Sequence, residues 1–162
     1  MEHRVNDAPI VETVCWPDEA ATQAFAARLA NGLQRHGLDG CITLAGDLGA
    51  GKTTLVRHLL RALGVSGRVK SPTYAVVEPY HVEAGAIWHF DFYRFNDPRE
   101  WEDAGFRDIV ASPGLKLCEW PARAQGLLPV TDLALHIAVD ADTQRHVQLQ
   151  VHTARAQRWL SA

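Results

Sequence analysis

The segment Gly46-Asp47-Leu48-Gly49-Ala50-Gly51-Lys52-Thr53 constrains this chain more than any other. It sets two glycines, a lysine and a hydroxyl residue at fixed offsets, the pattern GxxxxGK[ST]. Just before it runs Cys41-Ile42-Thr43-Leu44-Ala45, short and apolar, which reads as a buried strand. Just after it, Leu55, Val56, Leu59, Leu60 and Leu63 recur at helical spacing, and Gly64 stands where that helix would end. A strand feeding such a loop, which in turn opens a helix, aims backbone N–H groups at an anion. Gly46, Gly49 and Gly51 let the backbone curl without Cβ clashes. The helix N-terminus adds unpaired N–H groups and the positive end of its dipole. In this arrangement Lys52 reaches the β- and γ-phosphates of a nucleoside triphosphate, and the Thr53 hydroxyl ligates Mg²⁺.

The flanking segments complete an α/β pattern. Trp16-Pro17-Asp18-Glu19 reads as a helix entrance, and Phe25, Leu29 and Leu33 carry an amphipathic helix to His36-Gly37. Beyond the polar loop at 66–73, residues 74–82 and 86–94 alternate around Glu83-Ala84-Gly85, the pattern of a hairpin. Asn96-Asp97-Pro98 opens a helical stretch that Gly105 interrupts before Phe106-Arg107-Asp108-Ile109-Val110. Leu115-Lys116-Leu117-Cys118 reads as a strand closed by Glu119-Trp120-Pro121, and residues 133–139 and 146–152 as two more. The expected fold is α/β, a P-loop NTPase-like three-layer arrangement with a mixed, partly antiparallel sheet. With 162 residues, 47% of them apolar, one domain over 1–162 is expected, with 1–12 and 154–162 as peripheral tails.

Charge and cysteine usage narrow the function. A formal net charge of −3 argues against a stand-alone nucleic-acid binder that relies on a broad basic surface. The longest apolar stretches fall short of the ~18–20 residues that span a bilayer, and residues 1–7 lack the apolar core of a signal peptide. A cytoplasmic protein without membrane contact is expected. Cys15, Cys41 and Cys118 are too far apart for a metal pair and odd in number, so buried free thiols are expected. His89-Phe90-Asp91 is a close His/carboxylate pair; its i, i+2 spacing puts both side chains on one strand face, but further zinc ligands are missing.

A triphosphate site also needs a carboxylate on the metal side and a residue that senses the γ-phosphate. Asp91 and Glu119 each end an apolar strand, and the carboxyl ends of strands are where α/β sheets place ligands. One of the two would hold Mg²⁺, directly or through water, while the other orients a water. Thr73, in the loop after the helix, is placed to act as a switch residue. Trp120 either stacks on the nucleotide or a partner, or packs as a core or lid aromatic. No Asn-Lys-x-Asp segment for guanine follows a strand, which favours ATP. The residues alone leave three functions open: an ATP-hydrolysing enzyme, a small nucleotide or metabolite kinase, and a nucleotide-gated binding module. For the kinase, Arg94, Arg99 and Arg107 are the nearby lid candidates, and their spacing shows no lid.

Taken together, the segments resemble one family. The loop through Thr54, then Val69-Lys70-Ser71-Pro72-Thr73-Tyr74, Val77-Glu78-Pro79-Tyr80, His89-Phe90-Asp91-Phe92-Tyr93-Arg94 and Glu119-Trp120-Pro121, follow the order found in TsaE (YjeE-type) proteins. These are ATPases of bacterial tRNA threonylcarbamoyladenosine biosynthesis. The resemblance covers about residues 16–152. It implies a small ATPase with ATP and Mg²⁺ as cofactors and low activity on its own. It further implies TsaD and TsaB as partner subunits that carry the transfer chemistry, and contact with tRNA only through that complex. Hydrolysis would support turnover of the complex. Carried over by motif, Asp47, Leu48, Gly49, Ala50, Gly51, Lys52, Thr53 and Thr54 bind the nucleotide, Glu119 is the second Mg²⁺ ligand, and Asp91 is the Walker-B-like acid needed for hydrolysis. Thr73 falls in the switch-like loop, and Glu19 and Arg145 match positions near the nucleotide. The chain departs from the family at Phe95, Trp101 and Ala104-Gly105, and at Ala122-Arg123-Ala124-Gln125, which bears on partner contacts and leaves the phosphate site alone.

Overall fold

The central strand, Gly40–Ala45 (β2), is buried on both faces, which is why it reads as a continuous apolar run. In the computed structural model, which describes residues 5–70, 72, 76–95 and 105–161, β2 lies in the middle of a seven-stranded sheet. The other strands are β1 (Val5–Trp16), β3 (Val77–Val82), β4 (Gly85–Asp91), β5 (Leu115–Glu119), β6 (Leu133–Val139) and β7 (Arg145–Thr153). Their order across the sheet is β1-β7-β6-β2-β5-β4-β3. β6, β2, β5 and β4 run parallel, while β3 pairs antiparallel with β4, and β7 antiparallel with both β6 and β1. The carboxyl ends of four neighbouring strands therefore share one edge, the place where a ligand site forms.

Among the described residues four helices cover the sheet: α1 (Glu19–His36), α2 (Lys52–Ala62), α3 (Phe106–Ala111) and α4 (Ala154–Ser161). Asp18 caps α1 by accepting the Ala21 N–H at 2.9 Å, as the acidic entrance predicts. The end of α2 is closed by two reverse bonds, Gly64 N–H to the Arg61 carbonyl at 3.1 Å and Val65 N–H to Leu60 at 2.9 Å. On one face α1, α2 and α4 bury Leu29, Leu33, Leu55, Leu59 and Trp159 against Ile42, Leu44, Ile87, Leu115 and Leu117. On the other, Phe90, Phe92, Phe106 and Cys118 pack under α3 and the 3-10 turn Pro121–Ala124. These are the expected three layers around a mixed, partly antiparallel sheet.

Three expectations change. The stretch at 154–162 is no peripheral tail: Arg155, Ala156 and Trp159 are built into the fold, and the Trp159 ring is fully buried. At the other end, β1 pairs with β7 from Val5 to Trp16, so most of 1–12 is sheet as well. In both cases the far edge of β6–β7 and the base of α1 need covering, and the chain ends supply the surface. Cys15 is exposed and not buried, because it lies on that edge strand; Cys41 and Cys118 are buried as expected. The helical stretch expected from Asn96-Asp97-Pro98 lies outside the described residues. No described helix is long and apolar enough to cross a membrane.

Candidate functional site

The loop leaves β2 and passes into α2 at Lys52, so the first turn of an 11-residue helix opens onto the carboxyl edge of the sheet. Gly46 is required by space, since a Cβ there would run into the carbonyl of Ile137 on β6. Gly51 caps α2 with φ +105°, a conformation that L side chains rarely adopt. Arg145, the first residue of β7, donates Nε–H to the Ala50 carbonyl at 2.9 Å and so braces the loop from behind.

The two acids arrive from adjacent parallel strands. Asp91 ends β4 directly opposite Glu119, which ends β5. Strand alternation places Ile87, His89 and Asp91, and likewise Leu117 and Glu119, on the face that α2 covers. Thr53 Oγ1 donates to Glu119, with its two carboxylate oxygens at 3.1 and 3.3 Å. From the other side His89 Nε2 approaches Glu119 Oε2 at 2.6 Å, and both side chains are inaccessible to water, at 0% and 2% exposure. Lys52 donates to the Gly46 carbonyl and, at 3.1 Å, to that of Asp47. Its ammonium also sits 4.1 Å over the Trp120 ring, a cation–π contact. Trp120 adopts φ +56° as the chain turns out of β5, and its ring lies 5.0 Å from that of Tyr93.

Burial sets the proton affinities in this cleft. Desolvation pushes the Lys52 amine below its ordinary value, against the upward pull of Glu119, Asp91 and Asp47. Desolvation pushes the Asp91 carboxyl up, helped by the Glu119 charge; the 3.0 Å bond from the Tyr93 N–H, with His89 and Lys52, pulls the other way. Asp91 is thus a stronger base than a surface aspartate.

A cleft of about 400 Å³ results, lined by residues 48–54 and by Asp91, Glu119, Trp120 and Arg145. It brings together most of the residues singled out in the sequence. Asp47 presents its carbonyl to Lys52 but lines a neighbouring hollow with Ile137 and Val139. Glu19 does not line the cleft: from the first turn of α1 it pairs with His58 of α2 at 3.0 Å, two-thirds exposed. Thr73 lies outside the described residues. Tyr93 and Arg94 also line the cleft; Arg94 was considered only as a lid residue of a kinase, and Tyr93 was assigned no role, although both stand in the same segment as Asp91. Nor was His89 seen as a partner of Glu119, since only the pairing of β4 with β5 brings the two together.

The Thr53 hydroxyl and the Glu119 carboxylate form a pair of hard oxygen donors at the mouth of a phosphate loop. That donor set fits Mg²⁺, which takes one or two protein oxygens and leaves its other positions to water and phosphate.

Comparison with known proteins gives the family and the fold. The family described as threonylcarbamoyl adenosine biosynthesis protein TsaE matches residues 16–147. A Haemophilus influenzae protein named tRNA threonylcarbamoyladenosine biosynthesis protein TsaE is 40% identical over 148 residues, covering 90% of this chain and 93% of the relative. A Synechocystis protein of the same name is 37% identical over 115 residues, covering 66% and 68%. The crystal structure of Bacillus subtilis YdiB superposes with a TM-score of 0.75 at 22% identity, over 96% of this chain and 95% of that one, which shows the shared fold.

Proposed function

The chain belongs to the TsaE family, and from that premise we propose that it binds and hydrolyses ATP with Mg²⁺ in the threonylcarbamoyladenosine modification of tRNA. The observation that carries the hydrolytic reading is the facing pair Asp91 and Glu119, set in register beside Lys52 and Thr53. The loop N–H groups and the α2 dipole receive the phosphates. Lys52 moves from the Gly46 and Asp47 carbonyls onto the β- and γ-phosphate oxygens, a short swing for an amine whose desolvation makes a charged partner favourable. Thr53 and Glu119 would hold Mg²⁺, which when bound neutralises charge on the phosphate oxygens. Asp91 orients the attacking water and takes its proton, a role suited to its raised pKa. Trp120 covers Lys52 and the mouth of the cleft. Thr73 completes the reading as the γ-phosphate sensor.

In this reading the transfer of the threonylcarbamoyl group lies on the partner subunits TsaD and TsaB, and tRNA is reached through them. The test is ATP turnover by the purified chain, with and without the two subunits. We expect partner-stimulated hydrolysis that Asp91→Ala abolishes. Turnover that ignores the partners, or that survives Asp91→Ala, refutes the reading.

A further inference from the structure

We propose that His89 is a positioning residue: from β4 it locks the carboxylate of Glu119 in the rotation that presents it to Thr53 and the cation. The proposal rests on the reading of the cleft as a nucleotide–Mg²⁺ site.

Thr53 alone does not set that rotation, because its hydroxyl lies almost equally far from both carboxylate oxygens, at 3.1 and 3.3 Å. His89 does discriminate. Its Nε2 lies 2.6 Å from Oε2, the shorter claim on one oxygen, and the ring is wholly buried. β4 and β5 are parallel neighbours, with His89 opposite Leu117 and Asp91 opposite Glu119, so the imidazole reaches one pair forward along the sheet to meet Glu119. A bond to a carboxylate requires the hydrogen on Nε2. The other ring nitrogen, Nδ1, is buried and has no hydrogen-bond partner among the described residues. The bond holds Oε2 and leaves Oε1, the oxygen nearer to Thr53 at 3.1 Å, turned toward the hydroxyl. Outer-shell donors of this kind set ligand orientation and typically change metal affinity by about 10–100-fold when removed.

The experiment measures the affinity of the full chain for a fluorescent mant-ATP, in EDTA and across a Mg²⁺ titration, for wild type, His89→Leu, His89→Asn and His89→Gln. Leucine removes the donor. Asparagine puts its amide where Nδ1 stands, short of Glu119, whereas glutamine carries an amide N–H to the position of Nε2. We expect binding in EDTA to stay within about twofold of wild type in all variants. The Mg²⁺ concentration for half-maximal tightening should rise about 10–100-fold in the leucine and asparagine variants, and glutamine should recover most of it. The contrast of asparagine with glutamine decides the matter even if the leucine variant does not fold. Equal Mg²⁺ demand in asparagine, glutamine and wild type overturns the proposal, as does a parallel loss of affinity with and without Mg²⁺, the mark of a merely structural role. A wild-type chain that binds mant-ATP without any response to Mg²⁺ overturns the cleft reading itself, and the proposal falls with it.

Discussion

Replacing Gly51 by alanine tests how the phosphate loop is held in shape. Gly51 caps α2 at φ +105°, and an L-residue in the left-handed region costs about 1–2 kcal/mol. The added Cβ would also fall well inside van der Waals contact of Arg145 Nε, and 3.2 Å from Cδ and Cζ. Arg145 is long and can swing aside, but only by breaking its 2.9 Å bond to the Ala50 carbonyl. A partly buried bond from a guanidinium contributes about 1.5 kcal/mol, the low end for charged donors. Gly51→Ala is therefore expected to cost about 3 kcal/mol, read as a shift of the urea midpoint at constant m-value. Arg145→Ala alone removes only the bond, about 1.5 kcal/mol. In that background the glycine substitution has nothing left to displace and adds only the strain. The double variant should then match the single Gly51→Ala at about 3 kcal/mol, a non-additivity of about 1.5 kcal/mol. A cost below about 0.5 kcal/mol for Gly51→Ala refutes the strain argument. Strict additivity refutes the claim that Arg145 braces the loop.

Three further outcomes follow from the cleft and the core. Asp91→Asn keeps an oxygen for the Tyr93 N–H but cannot take a proton, so ATP turnover should fall by about 100-fold or more while mant-ATP binding persists. Because burial holds the folded-state pKa of Asp91 above its unfolded value, the wild type loses stability relative to this variant as pH rises from the usual carboxylate range through that raised pKa. Denaturation curves of the two proteins should thus converge in acid and favour the variant at neutral pH; the opposite trend would show that Asp91 is held ionised. Trp159→Ala should cost about 3–5 kcal/mol in chemical denaturation, since the ring is fully buried and packs against Gly40. Its folded fraction should bind mant-ATP normally, because Gly40 begins β2 and the phosphate loop follows its other end.

Much of the site was legible because its signals are local. The glycines, Lys52 and Thr53 act through the backbone geometry of a single turn, so their order in the chain is already their arrangement in space. The ends of β4 and β5 were legible too, since an acid breaks the apolar run at each. Carrying Glu19 over by resemblance did not bring it into the cleft, because the α1–α2 packing gives its carboxylate to His58. The C-terminal helix escaped notice since eight residues with an apolar stripe of Ala156 and Trp159 carry little periodic signal. β1 escaped because from Pro9 onward this edge strand exposes most of its side chains, Ile10 and Val11 among them, and so lacks the pattern of a buried one.

By itself, then, the amino-acid sequence determined a strand–loop–helix unit built for phosphate, two acids at strand ends, and the family to which that combination belongs. Only the tertiary structure decided that β4 and β5 lie side by side, that His89 therefore grips Glu119, and that Arg145 returns from the far end of the chain to brace Ala50. The division has a physical cause. Caps, turns and glycine loops are settled by interactions within a few residues, whereas strand order depends on which apolar faces bury best against one another across the whole chain.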